Sequence, residues 1–196
     1  MSSDAQPRRR LSRQDRQRQL LDAAWRLVRE EGSEALSLGR LAELAGVTKP
    51  VVYDHFGTRA GLLAALYQSF DERQTAVMDA ALAACEPTLE STAAVIASAY
   101  VDCVLTQGRE IPGVIAALAG SPELEQIKQA YEAVFMGKCR ALLAPFSGSG
   151  EIGVAGLRAM IGAAQALSLA AANGEITAQQ AQRELFESIR AMVLRS

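Results

Sequence analysis

A short stretch of the chain, GVTKPVVYDHF at residues 46–56, holds Lys49, Tyr53 and the only histidine, His55. A lysine can donate hydrogen bonds to guanine O6 and N7 or to a phosphate. A tyrosine hydroxyl and an imidazole can reach phosphate oxygens beside a groove. The apolar neighbours Pro50 and Val51 can pack on thymine methyl groups. These residue types together indicate contact with double-stranded DNA.

Catalytic chemistry has no comparable support in the sequence. It contains no paired His and carboxylate cluster, no Gly-rich phosphate loop and no nucleophile elbow. Because His55 is the single histidine, histidine-based catalysis elsewhere is excluded. Cys85, Cys103 and Cys139 lie in apolar helical contexts and indicate reduced core thiols rather than a disulfide or a metal site. We therefore expect no enzyme activity, no cofactor and no metal.

Charge is distributed unevenly along the chain. The net charge of −2 divides into +3 for residues 1–60 and −5 for residues 61–196, and six arginines stand among the first twenty residues. This asymmetry indicates a basic end that meets a polyanion and an acidic body that does not. The first ten residues alone are equally consistent with a solvated tail.

Neither a signal peptide nor a transmembrane span is expected. The start, MSSDAQPRRR, lacks the apolar segment of a signal peptide. The longest run of small apolar residues, 159–172, is interrupted by Gln165 and Ser168. We expect a cytoplasmic protein without a membrane partner.

The patterns of apolar residues, N-caps and Gly or Pro breaks predict an all-α fold of about nine helices. Ser37, Thr48 and Thr58 are the expected N-caps of three of them. The predicted helices cover about residues 12–31, 38–45, 48–56, 58–84, 88–107, 112–119, 122–143, 151–173 and 177–194.

The second and third helices, joined by a turn at Gly46-Val47, have the layout of a helix-turn-helix. Val47, Val52 and Phe56 can anchor the third helix against the first two. Its N-terminal end, which in this motif touches base edges, is then left exposed. Two alternatives stay open from the sequence: Tyr53 could pack beneath this helix, and Val51 could belong to the core.

The segment SLGRLAELAGVTKPVVYDHFGTRAGLLAAL resembles the DNA-binding domain of the TetR (tetracycline repressor-like) family. The shared frame is an Ala-Gly-Val turn, a polar residue at Thr48, an apolar-Tyr-x-His-Phe run, a basic residue soon after it and paired leucines. The resemblance covers about residues 12–67. Two departures stand at the start of the fourth helix: Arg59 where Lys is commoner, and Ala60-Gly61 in place of an acidic pair. Gly61 is expected to weaken that helix by about 1 kcal/mol relative to Ala.

The resemblance implies specific roles for residues of this segment. Lys49, Pro50 and Val51 would contact bases, and Thr48, Tyr53, His55 and Arg59 would hold phosphates. Ser37 and Arg40 would touch the backbone or an edge base, and the N-terminal arginines would add minor-groove or phosphate contacts. The expected DNA-binding residues are Ser37, Arg40, Thr48, Lys49, Pro50, Val51, Tyr53, His55, Thr58 and Arg59.

It also implies a domain organisation: a basic disordered arm at 1–11, a helix-turn-helix domain at 12–67, and a helical domain at 68–196 for ligand binding and dimerisation. The expected ligand-binding residues, each of which could instead be core, are Met78, Tyr100, Cys103, Leu118, Tyr131, Phe135 and Met136. The expected dimer residues, on two helices that could also be internal core, are Gly156, Met160, Ala163, Leu167, Leu185, Ile189 and Met192.

The function expected from the resemblance is ligand-responsive transcription regulation. A homodimer would bind a palindromic operator as a repressor, and a small, mostly apolar effector would tilt the long fourth helix, 59–84, and release the DNA. The alternatives are a helical protein–protein adaptor and a DNA-binding activator without small-molecule control.

Overall fold

The computed structural model describes residues 11–106, 114 and 122–196, and it confirms the expected all-α fold. Eight α-helices and two short 3₁₀ turns, with no strand, make up the regular structure of these described residues. The helices are α1 (Arg13–Glu31), α2 (Leu38–Ala45), α3 (Lys49–Phe56), α4 (Arg59–Ala84), α5 (Leu89–Thr106), α6 (Pro122–Leu143), α7 (Val154–Ala172) and α8 (Ala178–Leu194). The helix expected at 112–119, the candidate Leu118 and the arm up to residue 10 lie outside the described residues.

The chain divides into two compact units, residues 1–66 and 67–196. The N-terminal unit holds α1, α2, α3 and the first turns of α4, and a 3₁₀ turn (Ser33–Ala35) precedes α2. Ser12 caps α1 by accepting the backbone N–H of Asp15, and Ser37 caps α2 by accepting that of Arg40. Its largest fully buried side chains are leucines from α1, α2, α4 and the end of the 3₁₀ turn: Leu20, Leu27, Leu36, Leu41, Leu62, Leu63 and Leu66.

In the C-terminal unit, α5 packs against α7 and α8, and α6 packs against α5. The predicted capping box at the start of α8 is present: Thr177 accepts from Gln180 N–H, and the Gln180 side chain accepts from Thr177 N–H. The core of this unit includes Ile96, Val101, Leu143 and Leu157.

Four of the residues expected at a dimer interface belong to this core. Leu185, Ile189, Met160 and Met192 are between 0% and 4% exposed within the single chain. Burial within the single chain favours the alternative that these helices are internal core, although Met160 and Met192 also line a surface groove. A part for these four residues in a dimer stays a prediction. Their helical stripe was predicted correctly, but periodicity alone does not tell which neighbour covers a stripe. Of the rest, Gly156, Ala163 and Leu167 are partly exposed.

Two helices of this unit, α5 and α7, are long and apolar enough to cross a membrane by length and composition. No membrane-spanning segment was predicted from the sequence. In α5 the apolar residues Ala93, Ile96 and Val101 belong to the buried core, as in the central helix of a globular domain. In α7, by contrast, Val154 and Leu169 are 61% and 59% exposed. The outer face of α7 therefore combines exposed apolar side chains with the polar residues Arg158 and Gln165.

Candidate nucleic-acid interface

The turn between α2 and α3 depends on Gly46. This residue adopts a left-handed backbone with φ of 64°, which a glycine tolerates without steric strain. Its N–H bonds to Glu43 O, and the next N–H, of Val47, bonds to Ala42 O. These bonds satisfy the last carbonyls of α2 and bring α3 up immediately behind it.

The two-turn helix α3 is held by one apolar face. Val52 and Phe56, four residues apart, are 0% and 7% exposed, while Val47 and Val51 are partly buried. Val51 is neither fully buried, as a core residue would be, nor fully exposed, so both alternatives stay open for it. Two buried anchors explain why so short a helix of mediocre helix formers is stable, because most helical stability comes from packing of one face.

The opposite face of α3 is open to solvent. Thr48, Lys49, Pro50 and Tyr53 are exposed, and Tyr53 keeps 54% of its surface accessible. Tyr53 therefore does not pack beneath the helix. Thr48 occupies the N-cap position as expected, but its side chain makes no capping hydrogen bond. The exposed face thus combines a lysine, a phenol and a hydroxyl that is not used for capping.

An ion pair that the sequence analysis did not foresee ties α1 to α3. Arg13 donates to Asp54 Oδ2 at 2.9 Å and to the Asp54 carbonyl at 3.1 Å. Both side chains are well exposed, so the pair adds at most about 1 kcal/mol to stability. Its two-point geometry fixes the approach of α1 to the solvent-facing side of α3. The signal available in the sequence was an acidic residue placed inside an otherwise basic or neutral recognition stretch.

His55 is partly buried at the end of α3, with its ring centroid 6.1 Å from that of Phe56. Burial lowers the pKa of His55, and the charges of Arg13 and Arg16 lower it further, against a raising effect of Asp54. The imidazole is therefore largely neutral at pH 7 in the free protein. A neutral imidazole still carries one N–H for a phosphate oxygen.

Other candidate residues have partners within the domain. Arg40 donates to Glu31 at 2.6 Å and to Glu43 at 3.3 Å, and its hydrogen bond lowers the pKa of Glu31. The hydroxyls of Ser37 and Thr58 accept backbone N–H groups as caps of α2 and α4. These three residues position the helices, whatever contact they make with a partner.

Arg59 is also engaged. Its Nε donates to the carbonyl of Leu36 at 2.9 Å, and one terminal nitrogen donates to the carbonyl of Ser33 at 3.0 Å. The guanidinium therefore joins the first residue of α4 to both ends of the turn that leads into α2. A lysine, which is commoner at this position in the family, has no planar fork for two carbonyls.

Gly61 lies in the first turn of α4 against the last turn of α3. A Cβ atom at this position would stand 2.1 Å from the carbonyl oxygen of Phe56. Real Cβ atoms do not approach an oxygen so closely, and the obstacle is backbone, which cannot rotate away. The absence of a side chain at Gly61 is therefore required by the junction of α3 and α4.

In the C-terminal unit, the structure brings four of the expected ligand residues close to one another. The rings of Tyr100 and Phe135 have centroids 5.8 Å apart, and Tyr131 packs edge-on against Tyr67 at 5.4 Å. Cys103 follows Tyr100 by one helical turn. Met78 and Met136 lie in the buried core. Tyr67 was missed by the sequence analysis; its signal was its place one turn before Asp71 on α4.

A groove of about 500 Å³ runs between α7 and α8 on the surface of the same unit. Small residues line one side and a polar helix lines the other. The lining includes Gly156, Ala159, Met160 and Ala163 from α7, with Glu187, Ala191 and Met192 from α8 and Arg195 at its C-cap. In the part of the chain that the structure describes, no group of three His, Cys, Asp or Glu side chains could hold a metal ion.

Comparison with known proteins supports the helix-turn-helix segment first. Residues 20–66 match the family model described as bacterial regulatory proteins, tetR family. Over 59 residues the chain is 41% identical to the HTH-type transcriptional activator FasR of Mycolicibacterium smegmatis and 39% identical to the HTH-type transcriptional regulator TtgR of Pseudomonas putida. These matches cover 30% of this chain, and 27% and 28% of the two relatives. The chain thus spans just over a quarter of the length of the curated relatives it matches.

Solved structures extend the likeness to the whole fold. The fatty acid degradation regulator FadR from Bacillus halodurans superposes with a TM-score of 0.70 at 13% identity, over 88% of this chain and 97% of that one. A TetR-family transcriptional regulator from Streptomyces coelicolor superposes with a TM-score of 0.68 at 21% identity, over 94% and 97%. At these identities the likeness shows the fold. The resemblance to the TetR family is thereby confirmed, in sequence for the N-terminal segment and in fold for the chain.

Proposed function

We propose that this chain, which has the fold and the N-terminal signature of the TetR family, regulates transcription by binding a roughly palindromic operator as a homodimer. The observation that carries the proposal is the geometry of α3. Val52 and Phe56 anchor it, and Lys49, Pro50 and Tyr53 project from its opposite, exposed face. A helix held in this way can enter a major groove with its N-terminal residues toward the bases.

Within this interface the residues have different roles. Lys49, Pro50 and Val51 read base edges at the N-terminal end of α3, and Thr48, Tyr53 and His55 contact phosphates. Arg13, Ser37, Arg40 and Thr58 hold the helices in place through the bonds described above. We also assign Arg59 to this positioning group, because its donors are directed at backbone carbonyls.

The groove between α7 and α8 supports the homodimer. On α7 the groove is lined by Gly156, Ala159, Met160 and Ala163, whose small or apolar side chains offer a surface to a second copy. Small residues let a helix from a second copy approach closely, and burial of the exposed apolar residues would stabilise the contact. We place the two-fold interface along this groove, with Gly156 and Ala163 in it and Leu167 at its edge.

A small-molecule effector is the proposed signal, and α4 its route to the DNA. This helix is unbroken for 26 residues from Arg59 to Ala84, about 39 Å at 1.5 Å per residue. An effector that prefers the DNA-free state by about 1.4 kcal/mol would weaken operator binding tenfold. We propose repression as the sign of regulation. The relative FasR is named an activator, so the same kind of DNA-binding half serves either sign. We propose a cytoplasmic location and no enzyme activity.

A gel-shift experiment with the DNA upstream of the protein's own coding sequence tests the proposal. We expect a specific shift at low salt. Lys49→Ala should retain binding to unrelated DNA and lose about 1–3 kcal/mol of preference for the specific site. If no specific shift appears, the alternative of a helical adaptor that binds other proteins through α7 is the better description.

Substitution of Arg59 tests whether this residue positions the helices through its two hydrogen bonds or contacts a phosphate through its charge. Loss of its two bonds should weaken DNA binding by about tenfold in both Arg59→Ala and Arg59→Lys, because a lysine cannot bridge two carbonyls. The slope of log affinity against log salt should stay that of the parent protein in both variants. Fluorescence anisotropy at several salt concentrations measures both quantities, with Arg183→Ala on α8 as the matched arginine control.

A phosphate contact by Arg59 predicts a different pair of results. Arg59→Ala would then lower the salt slope by about 0.9, and Arg59→Lys would retain most of the affinity. That pair would show that the guanidinium turns toward DNA on binding.

A further inference from the structure

Three helices of the C-terminal unit bring four aromatic rings together. Tyr67 comes from α4, Tyr100 from α5, and Tyr131 and Phe135 stand one turn apart on α6. Tyr67 meets Tyr131 with centroids 5.4 Å apart and ring planes at 66°, and Tyr100 meets Phe135 at 5.8 Å and 53°. All four side chains are partly, not fully, buried. We call these four residues the aromatic cluster.

The phenols of the aromatic cluster, and the thiol of Cys103 one turn after Tyr100, are neutral. Burial raises the pKa of Tyr67 and of Cys103 to about 12, and burial also raises the pKa of Tyr100. At neutral pH the phenols and the thiol are therefore protonated. They offer hydrogen-bond donors and ring faces, but no charge.

One carboxylate adjoins the cluster. Asp71 is partly buried one turn after Tyr67 on α4, a spacing that puts both residues on the same face. Its charge contributes to the raised pKa of Tyr67, Cys103 and Tyr131, which come from three different helices. Burial raises the pKa of Asp71 itself. Asp71 is thus a partly buried acid in the neighbourhood of Tyr67, Cys103 and Tyr131.

The basic side chains nearby have other partners. Lys138 lowers the pKa of Asp71, but its Nζ is bound to Asp79 at 2.5 Å. The second acid near the rings, Glu132, is bound by Arg158 at 2.6 Å. Among the described residues, Asp71 has no hydrogen bond or ion pair of its own. Among the described side chains, Asp71 is thus an acid beside the aromatic cluster without a basic partner.

We propose that the aromatic cluster and Asp71 bind a lipophilic organic cation, whose charge pairs with Asp71 while its apolar groups pack on the rings. Ring faces attract cations in addition to burying apolar surface. A neutral apolar ligand would bury Asp71 without a partner, and an anion would be repelled by it. The inference rests on the proposed function in taking this unit to be the effector domain, and it makes the expected apolar effector specifically cationic.

Calorimetric titration of the full-length protein without DNA tests the inference. The probes are tetraphenylphosphonium and benzyltrimethylammonium, with tetraphenylborate as an anion of nearly the same size and shape as the first. We expect at least one cation to bind and the borate to bind at least about tenfold more weakly. Asp71→Asn should weaken binding of the cation by about tenfold. It should also reduce the ratio of the phosphonium affinity to the borate affinity.

Two further variants separate a charge effect from a folding effect. Glu72→Gln removes the same charge from the next residue, which is exposed and bonded to Gln68, and should leave cation binding within about twofold. Tyr131→Leu keeps Asp71 and removes one ring face, and should weaken binding by about threefold to tenfold. Circular dichroism shows whether Asp71→Asn is folded. If it is not, the Tyr131→Leu result and the comparison of phosphonium with borate still test whether the site prefers a cation.

The inference is overturned if neither cation binds at millimolar concentration, if the borate binds as tightly as the phosphonium, or if Glu72→Gln costs as much as Asp71→Asn. Because the titration contains no DNA, its result does not depend on whether the protein binds an operator. If the protein binds the cation but no specific DNA, the cation site is supported and the proposed regulatory function is contradicted.

Discussion

Gly61→Ala is expected to destabilise the N-terminal domain by about 1–3 kcal/mol and to weaken DNA binding by at least about tenfold. Helix propensity alone predicts the opposite sign, a gain of about 1 kcal/mol for alanine. The structure decides between them, because the added methyl group would stand 2.1 Å from the carbonyl oxygen of Phe56. The junction must open to accept it. Since Phe56 is the C-terminal anchor of α3, the opening moves the exposed face that carries Lys49 and Tyr53.

Gly137→Ala is the matched control. Gly137 lies in the interior of α6, and no atom outside its own helix backbone would be within 4 Å of an added Cβ. This substitution should stabilise the protein by about 1 kcal/mol and leave DNA binding unchanged. Thermal unfolding and anisotropy measure both variants. Stabilisation by Gly61→Ala would show that the close approach to Phe56 is not required.

If the chain forms the proposed homodimer, Ala159→Glu is expected to convert it to a monomer and to reduce affinity for the proposed operator by about a hundredfold or more. Ala159 is exposed in the single chain and lines the groove between α7 and α8. A glutamate there would add to the acidic residues Glu184 and Glu187 of the same groove, where Arg195 is the one basic lining residue, so at least part of the acidic charge stays unpaired. In a closed two-fold contact each copy adds the same unpaired charge, and each buried uncompensated charge costs several kcal/mol. Loss of the second half-site then removes most of the binding energy.

Sedimentation equilibrium measures this effect on assembly, and anisotropy measures the effect on DNA binding. Ala133→Glu, an exposed alanine on α6 outside the groove, is the control and should remain dimeric. Because Ala159 is exposed, the substitution should leave thermal unfolding of the chain nearly unchanged apart from the contribution of association. A dimer that persists unchanged in Ala159→Glu would place the interface elsewhere.

Local sequence signals predicted the helices well. Ser37, Thr58 and Thr177 are caps in the structure as expected, and Val52 and Phe56 are the buried anchors of α3. Both kinds of prediction depend on spacing within one helix, which the sequence contains directly. The exposed end of α3 followed from the same spacing.

Contacts between different helices were harder to predict from the sequence. The phosphate role expected for Arg59 stays a prediction, but its bonds to Leu36 and Ser33 could not be predicted, because they depend on a turn 23 and 26 residues away along the chain. Gly61 was judged by propensity, because its approach to Phe56 is visible only in three dimensions. The apolar stripe of α8 was identified, but whether a second copy or the chain's own helices cover it could not be told from its period. Long-range packing decides each of these cases.

The most direct test of the central claim, that α3 reads DNA sequence for a regulator, is a specificity ratio. Sites are selected from a random duplex pool with the parent protein, and the affinity for the selected site is then compared with that for a scrambled duplex of equal length at physiological salt. We expect a near-palindromic site with half-sites about one or more helical turns apart, bound at least about a thousandfold more tightly than the scrambled duplex. No enriched sequence, or equal affinities for the two duplexes, would contradict the account.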